Sequence, residues 1–213
     1  MYFNDLVYIE KNLKKMFSNK NLNVLDIGCS NGEFSELLMQ KFGVIVDGIE
    51  INREHADIAK KKLRKVYNKI DSKVFFQKYD VIILRGLIHY LSNYEINLIL
   101  RNTNRKCIII FLQNINSNSI PFRILGPKRM SIATPSPDFD GNTTFYNNKS
   151  LGELVNFYNF TEISFEYPYL STPYRNLKAD FIALLLIFIP FNKNMYKKAF
   201  FRNIFRAIYM KAK

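Results

Sequence analysis

Cysteine is scarce in this sequence, with only Cys29 and Cys107 among its 213 residues. The two cysteines lie in separate segments without the spacing of metal ligands, so the sequence has neither a disulfide framework nor a zinc motif. This usage is typical of proteins in a reducing compartment. We therefore expect a cytoplasmic protein without a metal centre.

Long apolar runs are also lacking. The N-terminal stretch MYFNDLVYIEKNL contains Asp5 and has no uninterrupted apolar core, so it is not typical of a secretory signal. Residues 180–191 are very apolar, but they are too short to span a bilayer and are interrupted by Pro190. Hydrophobic residues still make up 48% of the chain, which is ample for a core, and the length predicts one domain over residues 1–213.

Acidic residues are outnumbered, with 18 Asp and Glu against 31 Lys and Arg, which gives a net charge of +13. Such a charge favours an anionic polymer or a membrane surface as a partner. However, the sequence is rich in Lys, Asn, Ile, Phe and Tyr together, a composition that AT-rich codon usage produces regardless of function. Its lysines are also spread along the chain, as on solvated helix faces. The charge therefore leaves nucleic acid as the less favoured partner.

Helix and strand patterns alternate in the first half of the chain. Helical spacing predicts helices, and continuous apolar runs predict strands. The predicted helices are 5–17, 33–42, 53–67 and 93–102, and the predicted strands are 23–27, 43–51, 79–87 and 107–113, with a weak extended stretch around 73–77. Strands that are apolar throughout are typical of a parallel sheet covered on both faces by helices. The pattern predicts a doubly wound α/β domain, whose ligand lies at the carboxyl ends of the strands.

The second half of the chain is less regular. Residues 114–147 carry prolines and small polar residues and are predicted to be a lid or substrate-binding loop. A helix at 149–158 and a strand at 160–167 follow, and the last residues, from 205 onward, could close as a final strand. Region 180–206 is apolar and then basic, with aromatic residues at nearly helical spacing. We interpret it as helical, either resting on a membrane surface or docked on the sheet.

A glycine-containing turn, VLDIGCSNGEF (24–34), follows the first predicted strand. Dinucleotide-binding turns have a third glycine where Glu33 stands, and the Lys-Ser/Thr of a phosphate-binding loop does not follow Gly32. A carboxylate beside a pyrophosphate is electrostatically unfavourable. Glu50 ends the second strand, where doubly wound folds offer a carboxylate to ribose hydroxyls. Together with Asp26 it forms an acidic rim that suits ribose hydroxyls, an ammonium and a sulfonium, the groups of S-adenosylmethionine.

These segments resemble the class I (Rossmann-like) S-adenosylmethionine-dependent methyltransferases, and in particular their small-molecule branch. VLDIGCSNGEF is similar to the first motif of that family, with Ser30 in place of the more usual glycine, and VDGIEIN is similar to the second. YDVIILRGLIHYL resembles the fourth-strand segment, and TFYNNKSLGELVNFYNF resembles the stretch leading to the sixth strand. The resemblance implies a mostly parallel, seven-stranded sheet. It also implies methyltransferase activity, with S-adenosyl-L-methionine as cofactor and S-adenosyl-L-homocysteine as product.

The resemblance further implies which residues bind the cofactor. Gly28 and Gly32 let the backbone approach the methionine part, Asp26 holds the ammonium, Glu50 binds the ribose and Ile51 packs on the adenine. The full implied set is Asp26, Gly28, Cys29, Ser30, Gly32, Glu50, Ile51, Asp71 and Arg85.

Of three further candidate residues, Asp71 and His89 have alternative interpretations. Asp71 either binds the adenine amino group or is an ordinary turn aspartate. The backbone around Arg85 is implied to border the methionine part. His89 either acts as a general base on a hydroxyl acceptor or is a packed residue at the start of a helix, and we favour packing.

The predicted acceptor is a small molecule methylated at oxygen, for example a sugar, a glycan precursor or a lipid-linked compound. The segment RGLIHYL after the fourth strand differs from the Asn/Asp-Pro-Pro-aromatic segment of enzymes that methylate adenine or glutamine nitrogen. Neither cysteine is placed as a nucleophile for cytosine. An RNA methyltransferase and a cofactor-binding protein without catalysis remain as alternatives, and the basic C-terminal region is a candidate for peripheral membrane contact.

Overall fold

The computed structural model describes residues 2–17, 21–76, 78–115, 146–166 and 204–212, with a seven-stranded sheet at its centre. The strands are β1 (Asn23–Ile27), β2 (Ile45–Ile49), β3 (Lys65–Tyr67), β4 (Val81–Arg85), β5 (Ile108–Ile115), β6 (Phe160–Glu166) and β7 (Ile204–Lys211). The helices are α1 (Tyr2–Phe17), α2 (Glu33–Phe42), α3 (Arg53–Ala59), α4 (Asn93–Asn102) and α5 (Asn148–Phe157). Short 3₁₀ helices lie at Ser72–Phe76 and Ile88–Tyr90.

The strand order is β3-β2-β1-β4-β5-β7-β6. Strands β1 to β5 are parallel to one another, and β7 runs antiparallel between β5 and β6. This arrangement confirms the predicted doubly wound, mostly parallel α/β fold. Because β1, β2 and β4 are central and parallel, their carboxyl ends meet along one edge of the sheet.

Two apolar cores cover the two faces of the sheet. One contains side chains of α1, α2 and α3, and the other contains side chains of α4 and α5. Strand β4 has a buried side chain at every position from Val81 to Leu84, because helices pack against both of its faces. The uninterrupted apolar runs of the sequence therefore correspond to buried parallel strands, as predicted.

The ends of two helices, α2 and α4, follow from local capping residues. Helix α2 begins after Gly32 and ends at Gly43, and both glycines have positive φ angles, of 78° and 66°. Helix α4 begins with a capping box, in which the Ser92 hydroxyl accepts from the Glu95 amide while the Glu95 carboxylate accepts from the Ser92 amide. These signals are local, and the sequence prediction of both helices, 33–42 and 93–102, is confirmed.

Two predictions between β2 and β4 are wrong. The helix predicted over 53–67 ends at Ala59, and Lys65–Tyr67 form β3. The stretch around 73–77, predicted to be extended, contains a 3₁₀ helix at Ser72–Phe76 instead. Strand β3 pairs in parallel with residues 47–49 of β2, so a tertiary contact overrides the helical periodicity of the local sequence.

The helical prediction for region 180–206 is wrong at its C-terminal end. Residues Ile204–Lys211 form β7, whereas residues 180–203 lie outside the described residues, as does the proposed membrane contact of this region. Residues 116–145 of the predicted lid are likewise outside them. Within the described part of the chain, no helix has the length and apolar character needed to cross a bilayer.

Candidate functional site

The turn between β1 and α2 has a left-handed backbone at three positions. The φ angles are 77° at Gly28, 51° at Ser30 and 78° at Gly32. This region is open to glycine and costly for other residues. The serine at position 30 therefore adopts a conformation that normally selects glycine. The amides of Gly28 and Cys29 both donate to the Ile49 carbonyl, over 2.8 and 3.1 Å, which fixes the turn to the end of β2.

The two turn glycines also lie against protein atoms. A Cβ atom on Gly28 would stand 3.1 Å from Cδ2 of Leu87, in the loop after β4. A Cβ atom on Gly32 would stand 3.4 Å from Cα of Ala59, at the end of α3. This contact favours glycine at position 28, in addition to the approach of a ligand that the sequence implies, whereas at position 32 a Cβ atom would make an ordinary contact and the positive φ is what favours glycine.

Glu50 lies directly after β2 and is held by two backbone amides. Its Oε2 accepts a hydrogen bond of 2.9 Å from the Ser30 amide, and its Oε1 accepts one of 2.8 Å from the Asn52 amide. Each carboxylate oxygen has a second lone pair, with which it can accept from a hydroxyl group of a ligand. The neighbouring Ile51 side chain is 55% exposed. A fixed acceptor beside an exposed apolar side chain fits a ligand with a ribose and an aromatic base.

Asp26 lies in β1 and is only 2% exposed. The Ser35 hydroxyl of α2 donates to its Oδ2 over 2.5 Å. Burial raises the pKa of Asp26 to about 6, while the bond from Ser35 and the charge of Arg85 act to lower this pKa and the charge of Glu50 acts to raise it. Two carboxyl groups that interact at the ends of adjacent strands suit a cationic ligand better than a diphosphate.

Cys29 packs inward from the same turn. Its side chain is buried against β2, where a Cβ atom on Gly48 would stand only 2.5 Å from its Sγ. Burial, together with the nearby Asp26 and Glu50 carboxyl groups, raises the pKa of the thiol. The side chain of Cys29 therefore fills space between the turn and β2.

Arg85, at the end of β4, turns its side chain toward α1. Its Nε donates to Oδ2 of Asp5 over 3.0 Å, and Oδ1 of Asp5 pairs with Nε of Arg206, from β7, at 2.9 Å. Arg206 Nη1 donates in turn to Oε1 of Glu166 in β6, over 3.2 Å. The side chain of Arg85 therefore belongs to a buried ionic network that joins four elements.

The sequence analysis missed this network. Asp5 is fully buried, and so are Tyr8 and Ile9, three and four residues further along α1. An acidic residue at helical spacing from the buried face of an amphipathic helix is the signal that could have revealed it.

Asp71 has the geometry of a turn aspartate. Its Oδ1 accepts from the Lys73 amide over 2.8 Å, at the start of the 3₁₀ helix, and its Oδ2 pairs with Nζ of Lys69 at 3.2 Å. The hydrogen bond from the Lys73 amide and the side chain of Lys69 lower the pKa of this carboxyl group. These contacts correspond to the alternative that Asp71 is a turn aspartate.

His89 lies in the 3₁₀ helix after β4 and is 4% exposed. Its ring is tilted by 44° against that of Tyr90, with the ring centroids 4.1 Å apart. Burial lowers the pKa of the imidazole to about 4, so the ring is neutral at physiological pH and is a weak base. This environment favours the packing interpretation over the role of a general base.

A family model and a curated protein match this sequence. Residues 4–164 match the model of a methyltransferase domain. The ubiquinone biosynthesis O-methyltransferase of Pelagibacter ubique (strain HTCC1062) is 30% identical over 138 residues, which are 56% of this chain and 56% of that protein. The match therefore spans about half the length of the curated relative.

Solved structures of two methyltransferases and a cyclopropane synthase share the fold. A SAM-dependent methyltransferase from Archaeoglobus fulgidus has a TM-score of 0.62 at 16% identity, over 97% of this chain and 98% of the other. The magnesium protoporphyrin IX methyltransferase of Synechocystis PCC 6803, crystallised with SAH, has a TM-score of 0.61 at 15% identity, over 98% and 83% of the two chains. A cyclopropane synthase from Mycobacterium tuberculosis has a TM-score of 0.63 at 14% identity, over 97% and 84%. At these identities the likeness concerns the fold.

Proposed function

Because this chain belongs to the class I S-adenosylmethionine-dependent methyltransferases, we propose that it transfers a methyl group to an oxygen atom of a small-molecule acceptor. The acceptor classes that we propose are sugars, glycan precursors and lipid-linked compounds. Oxygen as the accepting atom is supported by the curated relative, whose name specifies O-methylation.

The observation that carries the proposal is the position of Glu50. Its carboxylate is fixed by the Ser30 and Asn52 amides at the joint edge of β1 and β2, where it can accept from both ribose hydroxyls. Exposed Ile51 would pack on the adenine, and Asp26 would attract the ammonium of the methionine part. When bound, S-adenosylmethionine supplies a methyl group on a positively charged sulfur.

The residues of this site act by position and charge. Methyl transfer is an in-line displacement, in which holding the two reactants in line and excluding water supply much of the rate. We propose that His89 is not the base for the acceptor hydroxyl, because its ring is buried and its pKa is lowered to about 4. In this mechanism the hydroxyl proton leaves to solvent or to the acceptor's own groups.

The alternative of an RNA methyltransferase is less well supported. Several basic side chains near α3 already pair with acids, which leaves less positive charge for a phosphate backbone. These pairs are Lys60 with Asp57 at 2.7 Å, Lys62 with Glu36 at 3.1 Å and Arg64 with Asp47 at 2.8 Å. A protein that binds the cofactor without catalysis would have the same site, so only turnover distinguishes it.

Calorimetry with S-adenosylhomocysteine tests the site. We expect the wild type to bind and Glu50→Gln to weaken binding by about 1–3 kcal/mol, because a charged hydrogen-bond acceptor is lost. Glu54→Gln is the matched control, since it removes one carboxylate from the exposed surface of nearby α3 and should leave the affinity unchanged. Absence of S-adenosylhomocysteine binding by the wild type, or binding of NADH instead, would overturn the proposal.

Turnover of methyl-labelled S-adenosylmethionine tests the reaction. The enzyme would be incubated with a small-molecule extract of cells and, separately, with total RNA from the same cells. We expect label in the small-molecule fraction, in a bond that resists mild base as an ether does. Label in RNA would support an RNA methyltransferase, and cofactor binding without any transfer would support a cofactor-binding protein without catalysis.

A further inference from the structure

Asp26 and Arg85 lie on the same face of neighbouring strands. The register of β1 and β4 pairs Asp26 with Ile83, so Arg85, two residues further along, is the diagonal neighbour of Asp26. Diagonal neighbours are within reach of long side chains. The face that they share is the one covered by α1 and α2, and Asp26 is 2% exposed there.

The guanidinium of Arg85 is held from two sides. Asp5 of α1 accepts from its Nε over 3.0 Å. Its central carbon lies 5.4 Å from the ring centroid of Phe34, in α2. The next residue of α2 is Ser35, whose hydroxyl donates to Asp26. The positive charge of Arg85 is therefore kept at the end of β4, on the side of the residues that surround Asp26.

We propose that Arg85 is a positioning residue of the cofactor site, whose guanidinium, fixed by Asp5, keeps the buried Asp26 carboxylate ionised to attract the ammonium of the cofactor. The inference rests on the proposed function for the role of Asp26. Burial favours the neutral form of a carboxylic acid, and a neutral acid would attract an ammonium far less than a carboxylate does. A nearby positive charge that does not itself fill the ligand site offsets this effect.

Three groups act on the pKa of Asp26, and a buried thiol and the Asp5 carboxylate of α1 lie on the same side. Ser35, from α2, donates a hydrogen bond, and Glu50, after β2, adds a like charge that raises the pKa of Asp26. Cys29, in the turn, is a buried thiol whose own pKa is raised. Arg85, from β4, is the positive charge in this set, and it acts against the burial that raises the pKa of Asp26 to about 6.

Carboxyl carbon NMR of ligand-free protein labelled with ¹³C-aspartate measures the protonation of Asp26 directly, with Asp26→Asn used for the assignment. We expect Arg85→Met to raise the midpoint of this titration by about one pH unit. Arg206→Met is the matched control, since it also removes a guanidinium from Asp5, and it should leave the midpoint at the wild-type value. Arg85→Lys should restore the midpoint because it restores the charge.

Affinity for S-adenosylhomocysteine between pH 5 and 8 gives a second readout. Below the midpoint of Asp26 we expect affinity to fall by at most about tenfold per pH unit, and in Arg85→Met this fall should begin at a higher pH than in the wild type. If the wild type does not bind S-adenosylhomocysteine, the proposed function fails while the NMR titration still tests Arg85. If Arg85→Met and Arg206→Met titrate alike, the inference is overturned.

Loss of one member of a buried ion pair can prevent folding. The second comparison therefore uses Asp5→Asn/Arg85→Met against Asp5→Asn alone. Removal of both partners leaves Arg206 paired with Glu166 at 3.2 Å and leaves no unpaired carboxylate at position 5. Asp5→Asn keeps a side-chain oxygen that can still accept from Nε of Arg85. We therefore expect the double variant to have the higher Asp26 midpoint, and equal midpoints would again overturn the inference.

Discussion

The backbone amide of Ser30 donates a hydrogen bond of 2.9 Å to Oε2 of Glu50. This bond joins the turn after β1 to the acid that follows β2, although the two residues are 20 positions apart in the chain. A carboxylate that is fixed in this way needs little reorganisation when a ligand hydroxyl approaches, which favours binding. The bond also ties the acid to a residue with an unfavourable backbone conformation, φ 51°.

Replacement of Ser30 by glycine should stabilise the protein without weakening the site. Glycine adopts a φ of 51° without the steric cost of a Cβ atom, so we expect a gain of about 1 kcal/mol in the free energy of unfolding. The amide that binds Glu50 is retained, so affinity for S-adenosylhomocysteine should change less than about twofold. Urea unfolding and calorimetry measure the two effects. Ser30→Ala keeps the Cβ atom, and an equal gain in that variant would show that backbone strain is not the cause.

Gly48 and Cys29 should be coupled in stability. A Cβ atom on Gly48 would stand 2.5 Å from Sγ of Cys29 and 2.9 Å from Cδ1 of Leu63, so Gly48→Ala should cost about 2 kcal/mol or more. In Cys29→Ala/Gly48→Ala we expect part of this loss to be recovered, which gives a favourable coupling energy of about 1 kcal/mol in a double-mutant cycle. Gly152→Ala, in α5, has no atom within 4 Å of its Cβ position and should instead stabilise slightly. Additive losses at positions 29 and 48 would contradict the predicted contact.

His89 should make the protein sensitive to acid. Its pKa is lowered from 6.5 to about 4 by burial, so between these values the unfolded chain binds more protons than the folded chain. Stability that is fully present above pH 6.5 is therefore lost as the pH falls toward 4, by roughly 3 kcal/mol. His89→Gln cannot titrate, so we expect a smaller loss over the same range by urea unfolding. Equal losses in the two proteins would mean that folding does not lower the pKa of His89. A fall of kcat by several orders of magnitude in His89→Gln would instead support the role of His89 as a general base.

Asp26 should have the opposite dependence on pH. Its pKa is raised from 3.8 to about 6, so between these values the folded chain binds more protons than the unfolded chain. Stability therefore falls as the pH rises through this window, and the buried carboxylate costs roughly 3 kcal/mol at pH 8. We expect Asp26→Asn to be more stable than the wild type at pH 8, by an amount that shrinks toward pH 4, and to bind S-adenosylhomocysteine more weakly. A variant that is less stable at pH 8 would contradict the burial cost.

The parts of the fold that the sequence predicts are those with local signals. Strand β1 and helix α2 have the predicted bounds, 23–27 and 33–42, because an apolar run, a turn and an amphipathic stretch follow one another. The carboxyl ends of parallel strands share an edge, so the sequence also brings Asp26 and Glu50 together once the two strands are recognised. The roles of the nine implied cofactor residues stay predictions for the experiments above.

The parts that the sequence does not predict depend on distant partners. Residues 65–67 have a helical pattern, but they pair with β2 and become β3. Asp5 is interpreted from the sequence as part of an ordinary amphipathic helix, whereas its partner Arg85 lies 80 positions away. For Arg85 the sequence implies only that its backbone lies near the ligand. The direction of its side chain depends on a contact with Asp5 in α1. Periodicity indicates which face of a helix or strand is buried. It does not indicate which distant side chain pairs with a charged residue on that face.

Among the described residues, strand β6 joins the sheet through β7, which lies between it and β5. During synthesis the five parallel strands can assemble in the order in which they leave the ribosome, since each one finds a neighbour already made. Residues 160–166 emerge well before residues 204–211, the strand that connects them to the rest. Until then the growing chain leaves exposed the edges of β5 and β6 that β7 later covers, and such edges invite pairing with other nascent chains. Slow translation between residues 166 and 204 would lengthen the time for which these edges are exposed. A chaperone that binds the nascent chain would reduce its pairing with other chains.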